Sequence, residues 1–245
     1  MTTPPSTKRA LVTGASGGLG RAIALRLARD GHHVIAHANQ RLDAAQALAD
    51  AIRAAGGSAE AVAFDVTDAQ ASAAACTQLL ASGPVQILVN NAGTHDDGAF
   101  PGLRAEQWHQ VIDVSLNGFF HVTQPLTMPM VRTRWGRIVN ISSVAAIMGN
   151  RGQVNYAAAK GALNSATKSL ALELGSRGIT VNAVAPGIIA SGMAEEAFDK
   201  AAIERIVPMK RAGTADEVAA LVGFLCSEEA GYISGQVISV NGGMA

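Results

Sequence analysis

Tyr156 and Lys160 stand four residues apart in the stretch NYAAAKGALN (155–164), where most of the other side chains are small. One turn of α-helix brings positions i and i+4 onto one face. A phenol has a reference pKa near ~10 and is a poor acid or base at neutral pH. A neighbouring ammonium favours the phenolate and is expected to draw that value toward the working range. The pair could therefore pass a proton to or from a substrate oxygen. Ser143, thirteen residues upstream at the end of the run RIVNISS (137–143), could hold that oxygen beside the phenol. By itself such a pair is more often an exposed couple on an alanine-rich helix. What changes the reading is the company it keeps.

The stretch VTGASGGLGRAIA (12–24) places Gly14, Gly18 and Gly20 at GxxxGxG spacing. Glycine lets a diphosphate approach the backbone, and the unpaired N–H groups of a helix start attract an anion. The loop lies between a first strand and a first helix, the place the dinucleotide fingerprint requires. The second strand ends in VIAHANQR (34–41), with no carboxylate before Asp43 to bond a ribose 2′-hydroxyl. Arg41, with Asn39 and His37, could instead meet a 2′-phosphate, so NADPH is expected over NADH. FDVTD (64–68) sets Asp65 within reach of an adenine edge, and LVNNAG (88–93) sets Asn90, Asn91 and Gly93 at the end of a fourth strand. All of these fall at the carboxyl ends of strands and define one crevice.

The elements that must position them alternate along the chain. Apolar, β-branched runs at 9–14, 33–38, 60–65, 85–93, 137–143, 179–187 and 236–243 are separated by helical periodicity near 18–30, 41–55, 68–82, 104–133 (in two pieces), 153–175 and 214–227. Such alternation predicts an α/β fold, a doubly wound parallel sheet of about seven strands with helices on both faces. No linker or charge block divides residues 1–245, so one domain is expected.

Composition narrows the possibilities. With 245 residues, 49% hydrophobic, and a formal net charge of +0, the chain carries no broad electrostatic footprint for nucleic acid or an anionic membrane. No apolar run is long enough to span a bilayer, and the start, MTTPPSTKRALVTG, lacks the apolar stretch of a signal peptide. Cys76 and Cys226 read as two free thiols in a reducing cytoplasm. His32, His33, His37 and His121 lack metal-ligand spacing and are expected at the surface or strand edges, and THDDG (94–98) reads as a loop near a substrate mouth, so no metal is expected. Ser142 and Ser143 lack the elbow of a hydrolase nucleophile. Trp108 and Trp135 read as helix-packing anchors.

Six motifs in order, TGASGGLG (13–20), NNAG (90–93), SLNG (115–118), SS (142–143), YAAAK (156–160) and PG (186–187), resemble the short-chain dehydrogenase/reductase family over essentially the full chain. Within it, MGNRGQVNYAAAKGAL (148–163), SRGITVNAVAPG (176–187) and YISGQVISVNGGM (232–244) are similar to the 3-oxoacyl-(acyl carrier protein) reductases. The resemblance implies a single-domain Rossmann-type fold, a homotetramer and NAD(P)(H)-linked alcohol–ketone interconversion. It makes Tyr156 the general acid, Lys160 its partner, Ser143 the group that positions the carbonyl and Asn117 the holder of a relay water. For the cofactor it implies Gly14, Ser16, Gly18, Leu19 and Gly20 at the diphosphate, and Asp65 and Val66 at the adenine. Asn91, Ala92 and Gly93 form a supporting turn, and Pro186, Gly187, Ile189 and Ser191 lie beside the nicotinamide. Arg134 and Arg177 match a basic patch that docks the acidic carrier protein.

Two positions depart from the family pattern. Gly17 stands where many NADPH-dependent members carry an arginine, which shifts the 2′-phosphate to the 39–41 stretch. Gln86 replaces a frequent Asp. The expected activity is NADPH-dependent reduction of a 3-oxoacyl thioester in fatty-acid or polyketide/pigment-type biosynthesis. The rivals are a dehydrogenase of a free alcohol, sugar or steroid, and an NAD(P)-sensing protein without turnover. The stretch 188–210 reads as a substrate lid, and the C-terminal strand and helix 153–175 as subunit contacts.

Overall fold

The computed structural model describes residues 7–190 and 200–245. Short β-branched runs become the parallel strands β1 (Arg9–Val12), β2 (His33–Ala38), β3 (Ser58–Ala63), β4 (Ile87–Asn90), β5 (Gly136–Ile141), β6 (Ile179–Pro186) and β9 (Val237–Val240). They form a 7-stranded sheet in the order β3-β2-β1-β4-β5-β6-β9. The order reverses between β1 and β4, so their carboxyl ends part and open a crevice. Ile189–Ala190 (β7) and Gly213–Thr214 (β8) make a separate two-stranded pair that the sequence pattern does not announce.

The strands read as continuous apolar runs because both faces are covered. Leu11, Ile35, Leu88, Ile138 and Val181 pack with α3 (Ala69–Ala81), α5 (Gly118–Thr133) and α7 (Val154–Leu174). Val12, Val34, Val89, Val139 and Val184 alternate with them and pack with α1 (Gly18–Arg29), α2 (Leu42–Ala54) and α9 (Ala215–Cys226). Two faces of one pleat thus feed two cores. Short helices α6 (Ala145–Met148) and α8 (Lys200–Ile206) complete the described elements.

Several expectations shift by a residue or two. β3 begins at Ser58, not residue 60, because Ser58–Ala63 pairs residue for residue with His33–Ala38. Asp65 therefore lies two residues beyond the strand. The segment 104–133 divides into α4 (Ala105–Ile112) and α5, joined through a π-helical turn at Asp113–Asn117 instead of a loop. Trp135 packs against the core shared by α1, α2 and α9, and it is also held by charge: its ring lies under Lys8 and Arg137, at 4.6 and 4.4 Å from the charges, and its Nε1 donates to Glu228 at 2.9 Å. Cys76 and Cys226 are unpaired and buried, and burial pushes their thiols up to about 11 and about 12, so neither is a nucleophile at neutral pH. Among the described residues no helix is long and apolar enough to cross a membrane.

Candidate active site

Thr13 and Asn91 stitch the two parting strands together. The Thr13 hydroxyl accepts from the backbone N–H groups of Asn91 and Ala92 at 3.0 and 2.9 Å, and Asn91 Nδ2 donates to the Thr13 and Gly14 carbonyls at 2.9 and 3.2 Å. Above this clasp the glycine loop turns into α1. Gly14 has φ +65, and a Cβ on Gly20 would stand 2.3 Å from the Gly14 carbonyl oxygen and 2.7 Å from Asn91 Nδ2. Neither position tolerates a side chain. Gly17 caps α1 without a side-chain hydrogen bond, and no acid lies in the first turn. The helix start is thus a cradle suited to an anion.

From this loop a crevice of about 480 Å³ runs past Ser16, Asn39 and Arg41 to Asp65, Val66 and Gly93. Asn39 and Arg41 are exposed on its rim. Asp65 Oδ1 accepts from the Thr67 N–H and hydroxyl at 2.9 and 2.8 Å, which holds the carboxylate at the end of β3. A cradle closed by glycine, one cationic rim and a carboxylate at the far end fit a dinucleotide.

His37 corrects the sequence reading. It is neither at the surface nor able to meet a phosphate as a cation: it is 1% exposed, and burial pushes its pKa down to about 4. Its Nδ1 accepts from the Gly14 N–H at 3.1 Å, which leaves Nε2 to donate to the Phe64 carbonyl at 2.9 Å.

On the other side of the switch point, α7 presents Tyr156 and Lys160 on one face. Lys160 is buried, and desolvation pushes its amine down to about 8. Its Nζ donates to the Ile141 carbonyl at 2.8 Å and lies 5.7 Å from the Tyr156 ring centre. The expected lowering of the Tyr156 pKa is reversed. Burial raises it, the neighbouring Ser143 hydroxyl pulls it down, and the Asp97 carboxylate adds to the rise. Desolvation of a nascent phenolate sets the direction, while the Lys160 ammonium is engaged by a backbone carbonyl. The phenol is therefore held protonated.

Ser143 follows β5, its hydroxyl accepts from the Ala145 N–H at 3.1 Å, and it shares the cleft with the phenol. These groups open into a cleft of about 410 Å³ that also includes Leu19, Met148, Pro186, Gly187 and Ile189. His95 and Asp97 lie at its mouth, where Gln153 Nε2 donates to Asp97 at 2.8 Å and His95 sits 3.3 Å from the same carboxylate. The sequence-expected Ser191 falls outside the described residues, as does part of the expected lid; Ile188 and Ile206 from the rest of it line the cleft.

The structure does not bring Asn117 to this group. Its side chain is exposed and donates to Asp113 at 2.7 Å. Two residues earlier in the π turn, Ser115 is buried, and its hydroxyl has no partner. A Cβ on Gly93 would stand 3.1 Å from Lys160 Nζ and 3.6 Å from Ser115 Oγ, so Ser115 is the side chain of that turn that neighbours Lys160. Asn155 was also missed. Buried beside the phenol, its Oδ1 accepts from the Tyr156 N–H at 2.8 Å, and its Nδ2 donates to the carbonyls of Asp96 and Gln107 at 2.9 and 3.2 Å. It fixes the first turn of α7 to the 94–98 loop. A polar residue next to a reactive tyrosine was the available signal. Arg134 and Arg177 do lie together, with Arg134 Nη2 donating to the Ser176 carbonyl at 3.3 Å. They precede β5 and β6, at the sheet edge opposite the cleft.

Residues 8–202 match the short chain dehydrogenase family. The chain is 45% identical over 236 residues to the 3-oxoacyl-[acyl-carrier-protein] reductase FabG of Aggregatibacter actinomycetemcomitans, covering 96% of this chain and 98% of that one. It is 43% identical over 242 residues to the Nodulation protein G of Azospirillum brasilense, covering 98% of each. A crystal structure of a protein from Agrobacterium tumefaciens put forward as a gluconate dehydrogenase superposes with a TM-score of 0.94 at 32% identity, over 98% of this chain and 96% of that one. A matching family over most of the chain, on a crevice and cleft of this geometry, gives one conclusion: the protein belongs to the short-chain dehydrogenase family and is an NAD(P)H-dependent oxidoreductase.

Proposed function

We propose that the protein reduces a 3-oxoacyl thioester, presented by an acyl carrier protein, to the 3-hydroxyacyl thioester with NADPH. The observation that carries this reading is a protonated, half-buried Tyr156 that lines one cleft with Ser143 and with apolar walls. Relatives of that name at 43–45% identity over nearly the whole chain support the substrate class.

Tyr156 and Ser143 converge on the place a substrate carbonyl oxygen would take. Held by the glycine loop and the crevice beyond it, a nicotinamide dinucleotide would supply hydride chemistry at the carbonyl carbon. As negative charge grows on the oxygen, the Ser143 hydroxyl donates a hydrogen bond to it and Tyr156 delivers its proton. Lys160 acts on what is left behind: a cation on the same helix face lowers the energy of the phenolate only after the proton has gone. Met148, Ile188, Ile189 and Ile206 exclude water and offer an apolar wall to an acyl chain. Arg41 and Asn39 are assigned to the 2′-phosphate, with NADPH preferred for that reason. Arg134 and Arg177 are assigned to the acidic carrier. A homotetramer belongs to the same reading, supported by the exposed Phe120 and Met128 of α5 and Leu172 of α7, the last 87% exposed. A cytoplasmic setting agrees with two unpaired cysteines.

A second reading, oxidation or reduction of a free polyhydroxy compound, is favoured by the polar His95–Asp97–Gln153 group at the cleft mouth. Turnover of 3-oxoacyl thioesters and of free sugars and alcohols, each with NADPH and NADH, separates the two. In the same assay Tyr156→Phe should lower thioester reduction by roughly 10²–10⁴-fold with cofactor binding intact. Undiminished turnover would remove Tyr156 from the chemistry.

A further inference from the structure

His37 is a residue for which the reaction itself has no use. It lines the dinucleotide crevice, yet its ring is turned away from solvent, and both ring nitrogens are engaged by backbone groups of other strand ends. Nδ1 accepts from Gly14, the first glycine of the loop after β1, and Nε2 donates to Phe64, the residue before Asp65 after β3. The backbone of His37 joins in, because its carbonyl accepts from the Ala15 N–H at 2.8 Å. The ring also packs against Phe64 with 4.2 Å between centres. One side chain at the end of β2 therefore ties the diphosphate loop to the loop that carries the adenine-side carboxylate.

The bonding pattern sets the tautomer. An imidazole that accepts at Nδ1 and donates at Nε2 is neutral, and a second proton at Nδ1 would face the Gly14 N–H. No cation is present at this position to read a 2′-phosphate. We propose that His37 is a positioning residue that braces the glycine loop against the end of β3 and so sets affinity for the dinucleotide as a whole, without discriminating NADP(H) from NAD(H). The proposal rests on the reading that this crevice takes a nicotinamide dinucleotide, and it goes beyond that reading by assigning the affinity to a residue that does not touch the phosphate.

Three substitutions dissect the brace. His37→Asn keeps an acceptor near the Nδ1 position, His37→Gln keeps a donor near the Nε2 position, and His37→Leu keeps bulk but neither bond. NADPH and NADH binding are measured by titration on each full-length variant, with KM for each cofactor and kcat at saturating substrate. Loss of hydrogen bonds that hold a binding loop is worth about one power of ten in affinity. Leu is expected to weaken both cofactors by roughly tenfold and by the same factor, Asn and Gln to fall between Leu and wild type, and kcat to change far less than KM. Arg41→Ala serves as the contrast, since a 2′-phosphate contact must weaken NADPH and spare NADH. If His37→Leu also weakened NADPH alone, His37 would be a phosphate contact and the brace would be wrong. Unchanged affinity for both cofactors in the folded variants would overturn it as well. If Leu does not fold, the Asn and Gln variants decide by the same criteria. Failure of the wild type to bind either cofactor would refute the underlying crevice assignment instead, so the two failures are distinguishable.

Discussion

A phenol becomes a proton donor here through burial more than through its cationic neighbour. Tyr156 loses part of its water contact, and the cost of a poorly solvated phenolate keeps the proton on until a substrate oxygen competes for it. Asp97 works in the same direction from the cleft mouth, its charge opposing a second negative charge on the phenol. Asp97→Asn removes that opposition, so the Tyr156 pKa falls. Reduction needs the protonated phenol, and the basic limb of the pH–rate profile for thioester reduction is therefore expected to move to lower pH. A basic limb that stays in place or moves upward would show that Asp97 does not act on the phenol. Lys160 shows the same physics with the opposite sign. Desolvation of the ammonium draws it down to about 8, and the Ile141 carbonyl holds it in place. The sequence named Tyr156 and Lys160 but not Asp97, and the direction of the tyrosine shift depends on a degree of enclosure that spacing does not encode.

At the level of elements, periodicity located the long helices to within a residue or two, but not the short helices α6 and α8. It did not find the π turn at Asp113–Asn117. An extra residue in a helical turn rotates everything after it, and the family resemblance of the SLNG motif implies Asn117 as the holder of a relay water. The turn instead buries Ser115 beside Lys160 and leaves Asn117 exposed against Asp113. Ser115→Ala is accordingly expected to slow turnover by several-fold, more than Asn117→Ala does, because it alone removes a buried hydroxyl next to the catalytic amine. A larger loss from Asn117→Ala would restore the motif-based assignment. Asn155 illustrates a second kind of miss: its three hydrogen bonds reach residues up to 59 positions away, and no local pattern reports them.

For the whole molecule, the sheet order decides which ends meet. All seven strands are parallel, so every carboxyl end lies at one edge, and the reversal between β1 and β4 gathers the crevice and cleft there. The same topology puts Arg134 and Arg177 at the amino edge. A carrier seated on these arginines is thus on the far side of the sheet from this chain's own cleft, and the docking proposal requires the cleft of a neighbouring copy. Charge reversal at both, Arg134→Glu with Arg177→Glu, is expected to raise KM for a carrier-bound substrate several-fold and leave a short thioester mimic unaffected. Equal effects on both substrates would remove the docking role. A concentration-dependent loss of carrier-bound turnover on dilution would accompany the neighbouring-copy arrangement.

The sequence alone determined the α/β class, the glycine-rich turn into the first helix, and the placing of Tyr156 and Lys160 on one helix face. These follow from local rules, namely side-chain period, backbone freedom at glycine, and helical pitch that places i beside i+4. Only the tertiary structure decided which way the Tyr156 proton equilibrium tilts, that His37 is an internal brace, that Ser115 and not Asn117 neighbours Lys160, and that Arg134 and Arg177 sit across the sheet from the cleft. Each of those depends on burial or on contact between segments far apart in the chain, and desolvation and long-range hydrogen bonding leave no period or spacing in the sequence.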